Sequence, residues 1–368
     1  MAQITNGQSY IQLSGVVTDK NHSPIQNAHI SVQGTKIGTI TNFQGQFVLK
    51  VSMTTCESNL LISHVGYQTA NFPAGCENQH DIKVVLIEQV IHLDEVRIYA
   101  LSAEHIVLNA ITNLKKNYQL DSVQYTIFSR ITEMADSSPI LLKEFVFNLY
   151  HDADTKPQFY IIKVRSKGFT KLGSQRLKED RLIDIHATES HIMLRYVPVF
   201  LKKNKMKRYI YELIEERFIE NEPYYVISVT SQKKNYMDKG EIWINKENYG
   251  IFYLEEHYID EHWKDESKLN TVYKSYYLQD RNKWYFKYGV KDYAWKLNEE
   301  NILIEIERIT VATDITQSRT FEKSDEMGLM TQMLKDFTGN FNDDFWGSYN
   351  YIPLPDLIQR NITDSNSR

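Results

Sequence analysis

The chain has 368 residues, 42% of them hydrophobic and 24% charged, which is typical of a globular protein with room for two or three domains. Its formal net charge of -5 at pH 7 argues against a nucleic-acid partner, because phosphate backbones are bound by basic surfaces. No stretch of 18 apolar residues that would cross a bilayer as a helix is present.

Residues 1–9 contain neither the basic segment nor the apolar segment of a signal peptide, and we expect a flexible N-terminus there. The pair Ala2-Gln3 fits the remainder of a signal peptide that has been removed, with Met1 added for expression.

Residues 10–99 alternate short apolar strands with turn residues. Ile11 to Thr18 reads as a strand, and the segment from Asp19 to Pro24 is rich in turn formers. Similar strands recur at short intervals up to Leu86. Seven short strands in fewer than 100 residues predict a β-sandwich of two sheets.

The two cysteines, Cys56 and Cys76, both lie in this segment, 20 positions apart. In an oxidising compartment they would form a disulfide worth about 3 kcal/mol. In a reducing one they would be small buried apolar side chains. The sequence leaves both alternatives open. A zinc site is not expected, since C-x-x-C and a second cysteine pair are absent.

Residues 100–120 predict a linker helix that packs on the second domain. Ser102 is a suitable N-cap, and Val107, Ala110 and Leu114 fall on one face at helical spacing. This apolar face predicts that the helix packs against a β-sheet.

Residues 121–350 return to period-two alternation and predict eight to eleven antiparallel strands. The segment Trp284-Phe286-Tyr288-Val290 is expected to place its apolar side chains on one side. Turns are expected at residues 245–250 and 279–282, and a helix at residues 325–337. The fold class is therefore mainly β, with a seven-stranded sandwich followed by a large curved antiparallel sheet or half-barrel covered by helices. Residues 351–368 are expected to form a C-terminal tail.

The ordered motifs of the first domain resemble a known family. They read G-x-V-x-D, P-I-x-x-A-x-I-x-V-x-G-T, G-T-x-T-N-x-x-G-x-F and I-S-H-V-G-Y-Q. This series resembles the carboxypeptidase-regulatory-like domain, a non-catalytic, prealbumin-like sandwich. In Bacteroidota the module precedes outer-membrane transport barrels and a set of uncharacterised periplasmic proteins. Asn42 stands where the family usually has Asp. The resemblance implies export.

The second domain resembles the half-barrel of bacterial lipoprotein-carrier proteins in its order of helix, meander and later helix. The hairpin G-E-I-W-I-N at residues 240–245 resembles the "G-x-I-W-I-D" of that group, with Asn245 in place of Asp. The run F-W-x-x-Y-N-x-I at residues 345–352 resembles the closing motif of the uncharacterised Bacteroidota proteins.

The sequence gives little evidence for a catalytic or metal-binding site. The common hydrolase, zinc-peptidase and nucleotide-binding motifs are absent. His186, Glu189 and His191 would be the ligands of a metal-dependent hydrolase, but such a spacing is expected about once by chance. The acidic stretch of residues 255–266 is a better metal candidate, yet alternation along a strand divides its acids between two faces. We therefore expect no catalytic residue, no metal and no cofactor.

Aromatic residues are the candidate binding surface for a ligand or partner. Nine of them lie on two adjacent predicted strands: Tyr273, Tyr276, Tyr277, Trp284, Tyr285, Phe286, Tyr288, Tyr293 and Trp295. They favour a binding surface for an acyl chain, a glycan or an extended peptide. The alternative is that they pack in an ordinary core, since aromatic residues are common in strands.

These observations favour a non-catalytic, exported protein-binding or assembly subunit at the periplasmic side of the outer membrane, docked to an outer-membrane protein or complex. One alternative is a periplasmic carrier of lipid or lipoprotein acyl chains. A second is a metal-dependent hydrolase.

Overall fold

The structure is a computed structural model that describes residues 10–89, 101–118, 122–152, 157–179, 192–193, 196–219, 222–232, 239–258, 268–297, 302–317 and 341–366. The chain divides into two compact units. One comprises residues 1–90, 312–316 and 340–368, and the other residues 91–311 and 317–339. The domain boundaries expected above stay predictions. In the described part, no helix is long and apolar enough to cross a membrane.

The first unit contains the predicted seven-stranded sandwich. One sheet has the order β4-β1-β7, and the other has the order β3-β2-β5-β6. The strands are β1 (Tyr10–Asp19), β2 (His29–Val32), β3 (Gly38–Ile40), β4 (Gln46–Ser52), β5 (Leu60–Ser63), β6 (Ala70–Phe72) and β7 (Gln79–Leu86).

Alternating apolar residues of the two sheets form the core of the sandwich. Leu13, Val17 and Leu49 are fully buried, and Ile30 and Ile62 of the other sheet pack in the same cluster. β1 and β7 are parallel, with an irregularity in their register beside Gly15. A Cβ at Gly15 would lie 2.0 Å from the carbonyl oxygen of Ile82, so only glycine allows this close approach.

Cys56 and Cys76 lie in the connections before β5 and before β7. The structure joins them in a disulfide, with their Cα atoms 4.9 Å apart. The bond closes a loop of 20 positions over the edge of the core.

The C-terminal segment covers the free edge of β4. The side-chain amide of Asn350 accepts a hydrogen bond from the backbone nitrogen of Lys50 (2.5 Å) and donates one to its carbonyl oxygen (3.1 Å), as a neighbouring strand would. Tyr351 then forms a β-bridge with Val48. Trp346 is completely buried. The F-W-x-x-Y-N-x-I motif of residues 345–352 therefore covers the β4 edge of the sheet. Residues 351–368, expected to be a tail, contain a helix, α3 (Asp356–Asn366).

The second unit is built on one open, ten-stranded sheet, which confirms the predicted large antiparallel sheet. Its strand order is β10-β9-β8-β17-β16-β15-β14-β13-β12-β11, so β10 and β11 are the edges. The strands are β8 (Val123–Ala135), β9 (Ser138–His151), β10 (Gln158–Gly168), β11 (Tyr209–Ile219), β12 (Glu222–Ser231), β13 (Lys239–Asn245), β14 (Ile251–Tyr258), β15 (Lys268–Asp280), β16 (Lys283–Leu297) and β17 (Ile302–Gln317).

Turn residues set the register of the hairpins. The side-chain oxygen of Asn245 accepts hydrogen bonds from the backbone nitrogens of Glu247 (2.9 Å) and Asn248 (3.1 Å), which fixes the predicted turn between β13 and β14. The predicted turn between β15 and β16 is also present.

Two helices pack on the same face of the sheet, which we call the helix face. Helix α1 (Ala103–Tyr118) matches the predicted linker helix, and its Tyr118 ring meets the edge of Tyr277 at 5.6 Å. Helix α2 (Lys171–Glu179) places Leu172 and Leu177 against a cluster that includes Ile306. The helix predicted at residues 325–337 lies outside the described residues.

Candidate functional site

The acidic stretch on β14 is divided between the two faces of the sheet. Residues paired across neighbouring antiparallel strands share a face, and adjacent residues of one strand do not. Glu256 pairs with Tyr273 on the helix face, whereas Glu255 pairs with Lys274 on the opposite face. Residues 259–267, which complete the stretch, lie outside the described part of the chain.

Glu256 is a buried carboxyl group on the helix face, with only 3% of its surface exposed. Tyr258 Oη donates a hydrogen bond to its Oε2 at 2.6 Å. Among the described residues, no donor reaches the other carboxyl oxygen. Burial raises the pKa of Glu256 to about 7, although the hydrogen bond from Tyr258 acts in the opposite direction. Glu256 can therefore change charge near neutral pH.

A pair of tyrosines connects Glu256 to the surface. The hydroxyl groups of Tyr196 and Tyr258 are 2.9 Å apart, and Tyr196 is 38% exposed. The ring of Tyr258 meets that of Tyr273 edge to face, with centroids 5.6 Å apart. We call Glu256, Tyr258, Tyr196 and Tyr273 the tyrosine–glutamate site.

Two further tyrosines lie near this site. Burial raises the pKa of Tyr209; the charge of Arg208 acts in the opposite direction, and the charge of Glu256 adds to the rise. Burial raises the pKa of Tyr277, with a smaller contribution from Glu256. Because the carboxylate of Glu256 acts on both hydroxyls, β11 and β15 contribute polar tips to the same region of the helix face.

Glu255 has different surroundings on the opposite face. Partial burial would raise its pKa, but hydrogen bonds with Tyr253 and His257, together with the charge of Lys274, lower it. Two neighbouring carboxyl groups therefore have pKa values moved in opposite directions. The geometry makes Glu255 one partner in a surface network and Glu256 an isolated buried acid.

An aromatic stack runs across the opposite face. The ring centroids of Trp243 and Tyr253 are 5.4 Å apart, those of Tyr253 and Tyr276 are 4.7 Å apart, and Tyr276 stacks on Tyr288 at 4.2 Å. Arg217 on the edge strand β11 lies 4.5 Å from the Trp243 ring. Three of the four rings are buried, so the stack mainly stabilises the sheet.

A buried ion cluster joins β8, β9 and β10, the three strands at the β10 edge of the sheet. Glu144 on β9 accepts hydrogen bonds from Arg130 Nε on β8 at 2.7 Å and from Arg165 Nε on β10 at 2.5 Å. All three side chains are at most 3% exposed. We assign this cluster a structural role, since the carboxylate offsets two buried positive charges.

The nine aromatic residues of the predicted binding surface lie on adjacent strands but not on one face. The register shifts between Tyr276 and Tyr277, where Tyr276 pairs with Tyr288 and Tyr277 with Phe286. Phe286 and Tyr288 therefore lie on opposite faces, and the expectation that Trp284, Phe286, Tyr288 and Val290 share one side was wrong. Binding by these residues stays a prediction. The helix face carries Tyr273, Tyr277, Trp284, Phe286 and Tyr293. The opposite face carries Tyr276, Tyr285 and Tyr288. The side chain of Trp295 lies outside the described part of the structure.

Five of these aromatic side chains are buried. Their exposed fractions are between 1% and 5%, which favours core packing for them: Tyr277, Trp284, Tyr285, Phe286 and Tyr288. Tyr273, Tyr276 and Tyr293 are half-buried.

The hydrolase candidates His186, Glu189 and His191 lie outside the described residues. Within the described ranges, no three His, Cys, Asp or Glu side chains are placed to hold a metal ion. Sequence reasoning missed the partnership of Tyr196 with Tyr258. The two are 62 positions apart, and no local pattern signals a contact of that range.

Comparison with known proteins identifies the first unit. Residues 13–98 match the family model described as the CarboxypepD_reg-like domain, which confirms the resemblance stated for the sandwich. Over 86 residues the chain is 33% identical to the TonB-dependent receptor SusC of Bacteroides thetaiotaomicron. That alignment covers 23% of this chain and only 8% of the receptor.

Solved structures resemble the chain only distantly. A LolA superfamily protein from Nitrosomonas europaea is 14% identical, with a TM-score of 0.25, and the match covers 61% of this chain and 96% of that protein. A putative outer membrane lipoprotein-sorting protein domain from Vibrio parahaemolyticus is 10% identical, with a TM-score of 0.27, over 62% and 99% of the two chains. TM-scores this low carry no functional conclusion.

Proposed function

We propose that this chain is an exported, non-catalytic binding or assembly subunit at the periplasmic side of an outer membrane, where its sandwich docks to an outer-membrane protein complex. The observation that carries the proposal is the sandwich itself. Its sequence matches a regulatory-like family and is shared, at 33% identity, with a TonB-dependent receptor. A module used in both proteins supports a common attachment role more readily than a reaction.

The disulfide supports export. Disulfides persist in oxidising compartments such as the periplasm and are rare where glutathione and thioredoxin keep thiols reduced. Cys56 and Cys76 are joined in the structure, and they are the chain's two cysteines.

The candidate docking edge of the sandwich is β7, in the sheet β4-β1-β7. The edge at β4 is covered by Asn350 and Tyr351. The opposite edge of this sheet is β7, where the outward-facing Val85 is 48% exposed. Ile87, directly after the strand, is 57% exposed. An extended partner segment that pairs with β7 would cover Val85. The carbonyl oxygen of Ile87 already accepts a hydrogen bond from the backbone nitrogen of Gln68, so the partner would cover Ile87 through side-chain contact alone.

The test is co-purification of the tagged full chain from detergent-solubilised envelopes. We expect an outer-membrane protein to be recovered with the wild type, and the double variant V85K/I87K to lose it. The matched control is I210K, which alters a residue 47% exposed on the edge strand of the other unit. Recovery of the chain alone, or equal recovery by the double variant, would contradict the docking proposal.

A second candidate function, carriage of an acyl chain, is favoured by small side chains on the helix face. Ser275, Gly289 and Thr310 are in register across three strands, between the residues contacted by α1 and α2. Their small volume would let an apolar ligand approach the sheet closely at this point. Native mass spectrometry of the chain purified from membranes tests this. A retained lipid mass that is removed by organic extraction supports it, and a spectrum of the bare chain counts against it.

A further inference from the structure

We propose that the tyrosine–glutamate site binds an organic ammonium ion, whose positive charge is neutralised by Glu256 and enclosed by tyrosine rings. This inference is independent of the docking proposal, because it concerns the helix face of the second unit. Three observations carry it: a buried carboxyl group, the aromatic rings around it, and a chain of hydrogen-bonded hydroxyls that ends at a partly exposed tyrosine.

In the described part of the chain, no cation is hydrogen-bonded to the carboxyl group. Glu256 is 3% exposed, and its described hydrogen bond is the one donated by Tyr258. An ionised carboxylate that is buried in this way is costly unless a cation pairs with it. A ligand with an ammonium group would supply that cation, whereas an anionic headgroup would be repelled.

The rings provide the second part of an ammonium site. Cations bind over the faces of tyrosine rings, and desolvation strengthens the attraction. The same part of the sheet already uses this interaction, because Lys291 Nζ lies 4.9 Å from the Tyr273 centroid and 4.8 Å from that of Tyr293. Lys291 is one strand beyond Tyr273, on the side away from Glu256. Tyr258 and Tyr196 remain as the rings on the Glu256 side.

Tyr196 is the outer end of this hydrogen-bonded chain. This residue is 38% exposed, and its hydroxyl is 2.9 Å from that of Tyr258, which in turn contacts Glu256. A ligand that enters here would meet two tyrosine rings before it reaches the carboxylate. A trimethylammonium group suits this site, because it has no N–H donor to satisfy and its positive charge can pair with Glu256 and with the tyrosine rings.

Ionisation of Glu256 controls the binding. Burial raises its pKa to about 7, so the ligand must compete with a proton below neutral pH. The pKa values of the surrounding Tyr196, Tyr209, Tyr258 and Tyr277 are all raised, mainly by burial, so these groups stay neutral in that range. Among the residues that the structure describes, the nearby charged groups are Arg208 beside Tyr209, Lys291 over Tyr273, and Glu104 of α1, which faces Tyr211. Binding below about pH 7 would release the Glu256 proton to solvent.

The experiment compares choline with 3,3-dimethylbutan-1-ol, its uncharged analogue of the same shape, by isothermal titration calorimetry of the full chain. At about pH 8 we expect choline to bind at least about tenfold more tightly than the alcohol. The affinity for choline should fall as the pH is lowered through about 7. Equal binding of the two probes, or no binding of choline to the folded chain, would overturn the proposal.

Variants locate the site. E256Q should weaken choline binding about tenfold or more at about pH 8 and remove its pH dependence. Y196L should weaken binding without removing that dependence, because Glu256 remains. E255Q is the matched control, since the adjacent residue lies on the opposite face and should bind choline as the wild type does. Circular dichroism confirms that each variant is folded. Unchanged binding by E256Q, or loss of binding by E255Q, would refute the assignment to Glu256.

Discussion

Glu256 should make the stability of the protein fall as the pH rises through neutrality. The folded-state pKa of Glu256 is about 7, compared with an ordinary value of 4.5, because the side chain is buried. A folded pKa above the unfolded one means that the unfolded chain gives up its proton first. The contribution is therefore fully present below about pH 4.5 and is lost as the pH rises to about 7.

The magnitude follows from the two pKa values. At about 1.4 kcal/mol for each pH unit, the difference between 4.5 and about 7 corresponds to roughly 3 kcal/mol of unfolding free energy. The substitution E256Q keeps an acceptor for the Tyr258 hydroxyl but cannot ionise. We expect the variant to be similar to the wild type at about pH 5 and more stable at about pH 8, by up to about 3 kcal/mol.

Urea unfolding followed by tryptophan fluorescence, at several pH values between about 5 and about 8, measures this difference. The control E255Q should behave in the opposite way. The pKa of Glu255 is lowered, so its removal should cost stability at neutral pH and less in acid. Parallel curves for the wild type and E256Q across this range would refute the reasoning, because they would mean that Glu256 ionises in the folded protein as it does in water.

Three further predictions concern the framework of the two units. Without reductant, alkylation of the denatured chain should label neither Cys56 nor Cys76, and after reduction it should label both, as measured by mass spectrometry. The variant C76S should lower the unfolding free energy by about 3 kcal/mol. E144Q should destabilise the second unit by about 3–5 kcal/mol in urea titrations, because two buried arginines would lose their shared carboxylate. N350A should remove the two side-chain hydrogen bonds to the backbone of Lys50 at the β4 edge, and faster hydrogen exchange at Lys50 should report the loss.

Local patterns were sufficient to predict most of the elements. Alternating residues predicted the strands, and Asn245 at a turn predicted the β13–β14 hairpin. The spacing of Val107, Ala110 and Leu114 predicted α1, where all three are buried. In each case the signal lies within one element and its turn, so no distant contact is needed to read it.

Features that depend on distant contacts were not predictable. Asn350 meets Lys50 across 300 positions, and nothing local to either residue marks the pairing. Helix α2 has nine residues with Leu172 and Leu177 as its apolar contacts, too short a segment for helical periodicity. The register shift between Tyr276 and Tyr277 exchanges the faces of the residues beyond it, which strict alternation cannot anticipate.

The docking surface on the sandwich can be tested most directly by site-specific photo-crosslinking in the native organism. A photoreactive amino acid replaces the exposed Val85 on β7, and in a parallel strain it replaces Ile210 on β11. We predict an ultraviolet-dependent crosslink from position 85 to an outer-membrane protein, identified by mass spectrometry, and none from position 210. A chain that is exported and folded yet gives no crosslink from position 85 would contradict attachment through this edge.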